Sequence, residues 1–190
     1  MSPLCAENPR QRRCWFMSEA TRQYIEQGFK NHSVFIPDEE YGRNLDSTVP
    51  ACVDIIVICG GKILLAKRTR DPQKDWWIIG GKIRPGETFE KTASRKIKEE
   101  LGLDIDPERF SRLTDFSAAW KMRHQPPADH GVHTVSFVMQ TEISAEMREV
   151  IVFNDEYECL QWIKPEAILI GDFHPAIYQC AEAVLAATDC

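Results

Sequence analysis

The chain has 190 residues, 43% hydrophobic and 27% charged, which suits one globular core and excludes low-complexity and collagen-like architectures. Its 23 basic and 29 acidic residues leave a net charge of -6, which argues against a nucleic-acid partner held by its backbone while allowing a local cation cluster for a small anion. Seven cysteines without a C-x-x-C pair, and apolar runs too short to span a bilayer, predict a cytoplasmic protein with no membrane partner.

Residues 1–16 set Arg10, Arg12 and Arg13 among Pro3 and Pro9 without helical or strand period, and are predicted to be a disordered tail. Met17, followed by the helix start Ser18-Glu19-Ala20-Thr21, is a candidate natural first residue. Tyr24, Ile25 and Phe29 at helical spacing predict a helix over 18–30, and Pro37-Asp38-Glu39-Glu40-Tyr41 predicts a second, entered through a proline. These make an N-terminal helical extension over 1–46, ahead of a single domain predicted over 47–190.

From Val53 the texture changes. Val53–Cys59, Gly60-Gly61 and Lys62–Lys67 read as a β-hairpin. Asp71–Asp75 reads as loop, Trp76–Ile79 as a short strand, Gly80–Gly86 as a glycine-rich loop, and Thr88–Leu101 as a helix closed by Gly102. Strand, glycine loop and helix in that order suit phosphate handling. Further strands are predicted around Phe110–Trp120, His133–Glu142 and Glu158–Ile163, with a Pro-rich loop at Met122–Gly131 and a last helix near Pro175–Ala187.

Arg68 and Arg70 share one face of an extended segment, with Lys67 and Lys74 nearby, which is what a diphosphate needs and also what a solvated strand end looks like. Trp76 and Trp77 point to opposite faces of a strand, so one belongs to the core and the other can cover a sugar or base; Trp77 is the candidate. Trp120 suits either base stacking or core packing.

Gly81-Lys-Ile-Arg-Pro-Gly-Glu87, followed by Arg95-Lys96-Ile97-Lys98-Glu99-Glu100-Leu101-Gly102-Leu103, closely resembles the Nudix box. Gly81, Glu87, Arg95, Ile97, Glu99, Glu100, Gly102 and Leu103 match it, and Lys96 replaces a glutamate. The resemblance implies an α/β/α sandwich with a mixed sheet, and Mg²⁺-dependent (or Mn²⁺-dependent) hydrolysis of a nucleoside diphosphate linked to another group. Arg95 pairs with Glu87 in this reading, and Lys96 either pairs with Glu100, competing with the metal, or points outward.

A narrower resemblance is to the GDP-mannose mannosyl hydrolase branch. It rests on Ser47-Thr48-Val49-Pro50 leading into Val53-Asp54-Ile55, on Leu64–Thr69, and on Trp76-Trp77-Ile78-Ile79-Gly80-Gly81-Lys82. That branch also lacks the glutamate at the place of Lys96. It implies attack by water on the anomeric carbon, with the Gly80 carbonyl, Glu100 and Glu156 holding metal and Glu99 on the flank. Arg68 and Lys82 then face the diphosphate and Asp54 the sugar. Tyr157 stands where the branch has its catalytic histidine, and a phenol is a poor base at neutral pH. His133, His124 or His130 are possible substitutes, or else structural. The branch also implies a homodimer. Two alternatives stay open: attack at phosphorus, and a nucleotide-binding module without turnover.

Overall fold

The computed structural model describes residues 23–32 and 34–188. The tail at 1–16, Met17 and the first part of the predicted 18–30 helix lie outside them. Residues 23–30 are not helical. Gly28 takes φ +91°, which a right-handed helix cannot continue, and Tyr24, Ile25 and Phe29 are all exposed, so their helical spacing has no surface to bury against. The second predicted helix forms. α1 (Asp38–Ser47) starts after Pro37, carries Asp38, Glu39 and Glu40 in its first turn, where they oppose the helix dipole, and buries Gly42 and Leu45.

β1 (Ala51–Cys59) and β2 (Lys62–Arg68) form the predicted hairpin. Gly60 and Gly61 both have positive φ, as the two-residue turn between right-twisted strands requires. The single strand predicted over Trp76–Ile79 is instead two strands, β3 (Trp76–Trp77) and β4 (Ile79–Lys82). β3 pairs with Ala66 and Lys67 of β2, while β4 pairs with Cys52–Ile55 of β1. The break at the buried Ile78 lets one short segment serve both hairpin strands where they diverge, and that opening is where the site lies.

The remaining elements are α2 (Phe89–Leu101), β5 (Ser111–Trp120), β6 (Val132–Glu142), α3 (Ala145–Glu149), β7 (Tyr157–Ile163), α4 (Pro165–Leu169) and α5 (Pro175–Thr188). The sequence reading did not find α3 and α4, which at five residues each are too short to show a helical period. The sheet runs β3-β2-β1-β6-β5, with β4 on β1 and β7 on β2; β1 and β6 are parallel and the other pairs antiparallel.

Alternation along β1 assigns the two faces. Val53, Ile55 and Val57 pack with Ala93, Ile97 and Leu101 of α2. Ile56, with Ile63, Leu65 and Trp77, packs against Ile168 of α4 and Ile177, Cys180 and Ala181 of α5. Each fully buried isoleucine or leucine contributes about 2 kcal/mol, so both faces hold the sheet. The result is the expected α/β/α sandwich around a mixed sheet. Among the described residues no helix is long and apolar enough to cross a membrane.

Candidate active site

The site is built from the N-terminal side of α2 outward. Thr88 caps that helix by accepting from the Lys91 amide at 3.2 Å, and Gly102 ends it at φ 70°. The preceding loop is folded onto the helix by Glu87. Its carboxylate accepts from the Arg84 amide at 3.0 Å, from the Thr92 hydroxyl at 2.9 Å, and from Arg95 through Nε at 2.6 Å and Nη2 at 2.8 Å. Burial alone would raise the Glu87 pKa, but Arg95, with the Arg84 amide and Thr92, holds it down to about 2. The predicted Glu87–Arg95 pair is present.

The two box carboxylates are held by cations. Glu99 meets Arg84 at 3.1 Å, Arg95 at 3.1 Å and Lys96 at 3.5 Å. Glu100 is 1% exposed; its Oε1 pairs with the Lys96 ammonium and its Oε2 accepts from the Tyr157 hydroxyl. Lys96 therefore points inward onto Glu100. Burial raises the Glu100 pKa against the pull of Lys96 and Tyr157. Burial and the Glu100 charge also drive the Tyr157 pKa up, so its phenol keeps its proton and is a donor rather than a base.

Beside this cluster, between the diverging hairpin strands and β6, lies a cavity of about 350 Å³. Arg68, Arg70 and Lys82 line it, as do Asp54, Gly80, Glu156 and Tyr157. Lys82 Nζ rests 4.2 Å from the Tyr41 ring centroid, and Arg70 pairs with Asp155 at 3.2 Å. Lys67 and Lys74 are instead engaged by Glu158 and Asp71. Asp54 is 7% exposed. Burial pushes its carboxyl up to about 6 despite the Ser136 hydroxyl and the Arg68 charge. Gly80 is needed beside it, because a Cβ there would run into the Asp54 carboxylate and the Val53 carbonyl.

Aromatic rings make up another part of the lining. Trp77 stands edge-on to Phe116 and Trp120 at centroid distances of 5.9 and 5.2 Å, and all three line the cavity. Trp77 and Trp120 thus serve core and cavity together. Of the histidines, His124 lines the cavity. His133 does not; it sits on the exposed side of β6, bonded to Ser117 at 2.8 Å, and His130 pairs with Asp46.

Sequence reasoning missed Arg123. Its guanidinium, 1% exposed, reaches Asp46 at the end of α1 at 2.7 Å, the Gly131 carbonyl at 3.1 Å and the Gln125 carbonyl at 3.1 Å. It ties α1 to the Pro-rich loop at the cavity rim. A single arginine in a loop has no period or spacing that could have flagged it.

The family resemblance implies a divalent cation, and the donor set can be tested for one. Glu87, Glu99 and Glu100 are met by Arg84, Arg95 and Lys96; Glu100 Oε2 accepts from Tyr157, while the buried Oε1 has no hydrogen-bond donor and faces the Lys96 ammonium as its ion-pair partner. Among the described residues no group of three His, Cys, Asp or Glu side chains is arranged to hold a metal. The residues as placed do not fit the ion.

Residues 49–184 match the NUDIX domain family model. The nucleoside triphosphatase NudI of Escherichia coli is 26% identical over 119 residues, which cover 61% of this chain and 82% of that protein. A MutT NUDIX hydrolase from Burkholderia pseudomallei superposes with TM-score 0.57 at 26% identity, covering 73% of this chain and 99% of that one. The NUDIX domain of Shewanella oneidensis NrtR, solved with ADP ribose, superposes with TM-score 0.55 at 17% identity over 80% of this chain and 99% of that one, and shows the fold alone. On the box geometry, the sandwich and the length of the match, the chain belongs to the NUDIX domain family, where it stands with the hydrolases.

Proposed function

We propose that the protein hydrolyses a nucleoside diphosphate joined to a sugar, of the GDP-mannose type, releasing nucleoside diphosphate and free sugar. The observation that carries this reading is the cavity itself, whose lining combines the cations Arg68 and Lys82, the aromatic rings of Trp77, Phe116 and Trp120, and the buried carboxylate of Asp54. A volume of about 350 Å³ lies in the range of small-molecule sites. Arg68 and Lys82 would take the diphosphate, Arg68 in the bidentate manner, and would stabilise the charge it gains on departure. Trp77 would cover an apolar ring face.

Asp54 would face the sugar. With a pKa of about 6 it is ionised at neutral pH, and it suits a base that takes a proton from attacking water, a task closed to Tyr157. Glu156 would bound the site near the leaving group. Mg²⁺ or Mn²⁺, general in this family, would have to displace Lys96 before Glu99 or Glu100 could bind it. A homodimer and a cytoplasmic setting belong to the same reading; the exposed Tyr24, Phe29, Val34 and Phe35 ahead of α1 would be the surface that pairs.

A second reading, favoured by relatives named nucleoside triphosphatase, moves the attack to phosphorus. Hydrolysis of a panel of nucleotide sugars and nucleoside triphosphates in oxygen-18 water separates the two. Label on the released sugar supports attack at carbon, and label on phosphate supports attack at phosphorus. Absence of turnover on every substrate rejects both.

A further inference from the structure

We propose that Lys96 is a resident cation that does the work of a divalent ion at the box, neutralising Glu99 and Glu100 from within the chain. One turn of α2 places residue 96 against both 99 and 100, at i,i+3 and i,i+4. The ammonium pairs with Oε1 of Glu100, which is 1% exposed, and lies 3.5 Å from Oε2 of Glu99.

The lysine stem is seated as well as charged. It is 15% exposed and runs across the backbone at Gly81, where a Cβ would lie 2.9 Å from its Cε and 3.4 Å from its Nζ. Glycine at 81 thus makes room for the lysine as well as for the loop.

Charge balance points the same way. Glu87, Glu99 and Glu100 face Arg84, Arg95 and Lys96, three against three. A carboxylate at 96 would leave this cluster with two net negative charges, which a divalent ion would balance. With lysine the cluster is already neutral, so a divalent ion would enter against cations in a low-dielectric setting. Asp54 and Glu156 line the adjoining cavity together with Arg68 and Lys82, two carboxylates with two cations. The consequence for the proposed function, on which this clause alone rests, is that the diphosphate is met by fixed side-chain cations.

The test is direct Mn²⁺ binding, read from the loss of the free-ion paramagnetic resonance signal on titration with full-length protein. Wild type is expected to hold Mn²⁺ weakly, and Lys96→Glu and the milder Lys96→Gln to hold it on the order of tenfold more tightly or better. Lys96→Arg, which keeps the charge, is expected to stay as weak as wild type. Equal Mn²⁺ affinity in wild type and a folded Lys96→Gln overturns the proposal. A parallel calorimetric titration with GDP, in EDTA and in Mg²⁺, judges the pocket separately. Failure of GDP to bind in either condition rejects the nucleotide reading, and the Mn²⁺ comparison still decides the role of Lys96.

Discussion

Arg95 grips Glu87 across eight residues of chain through two parallel N–H···O bonds, Nε to Oε1 at 2.6 Å and Nη2 to Oε2 at 2.8 Å. This fork fixes the glycine-rich loop to α2, and Arg95 Nη2 also bonds the Lys82 carbonyl at 3.1 Å, so the loop's cation is placed by the same side chain. The pair is a positioning device for the site.

Glu87→Gln is expected to cost about 2 kcal/mol at pH 7, because the charged carboxylate is favoured in the folded state and the amide is a poor partner for the fork. The folded pKa of about 2 lies below the ordinary value of 4.5, so this stability is present above pH 4.5 and is lost as pH falls toward 2. Urea unfolding of both proteins at pH 7 and pH 3 should show the gap narrowing; a gap that widens in acid contradicts the assignment.

Arg68 lines the cavity at the end of β2, opposite Tyr157 in register. If it binds the diphosphate through its fork, Arg68→Ala should lower kcat/KM about 100-fold, and Arg68→Lys should recover only part of that. Steady-state kinetics on whichever nucleotide substrate turns over decides this, and full recovery by lysine would mean that charge alone matters.

The box was legible because its chemistry is local: a fixed spacing over a loop and the helix that follows it put Glu87 of the loop near Arg95, Glu99 and Glu100 of α2, and the structure keeps them so. The hairpin and α2 were legible from turn glycines and apolar period. The break at Ile78 was not, since Trp76–Ile79 is apolar throughout and only pairing with two different strands splits it. Over its described part, 23–30, the predicted helix failed for a related reason: spacing predicts a face, but stability needs something to bury it. The spacing of Lys96 raised its pairing with Glu100 but left its direction open, because that depends on Gly81, Tyr157 and the buried side of the helix.

Arg123 is the residue most hidden from the sequence and the most buried cation of the site region. Arg123→Ala should cost about 3 kcal/mol by leaving buried carbonyls of the Pro-rich loop without donors. Amide exchange should then speed up in α1 ahead of the sheet, since the Asp46 contact at 2.7 Å is lost. Unchanged exchange in α1 would show that the helix docks by Leu45 alone.

Asp54 offers the opposite sign to Glu87. Its folded pKa of about 6 lies above the ordinary 3.8, because burial penalises the charge, so the folded state holds the proton more tightly than the unfolded chain. Stability from this group is therefore full below pH 3.8 and falls as pH rises through 6, a loss of up to about 3 kcal/mol. Asp54→Asn removes the charge and should be more stable than wild type at pH 8 by an amount that vanishes near pH 4, measured by urea unfolding across that range. The same variant should lose hydrolysis, since the cavity then lacks its ionised carboxylate, and wild-type kcat should rise with pH through about 6. A variant less stable than wild type at pH 8, or one that keeps full activity, would remove Asp54 from the role of base and leave it a buried polar contact of Ser136 and Arg68.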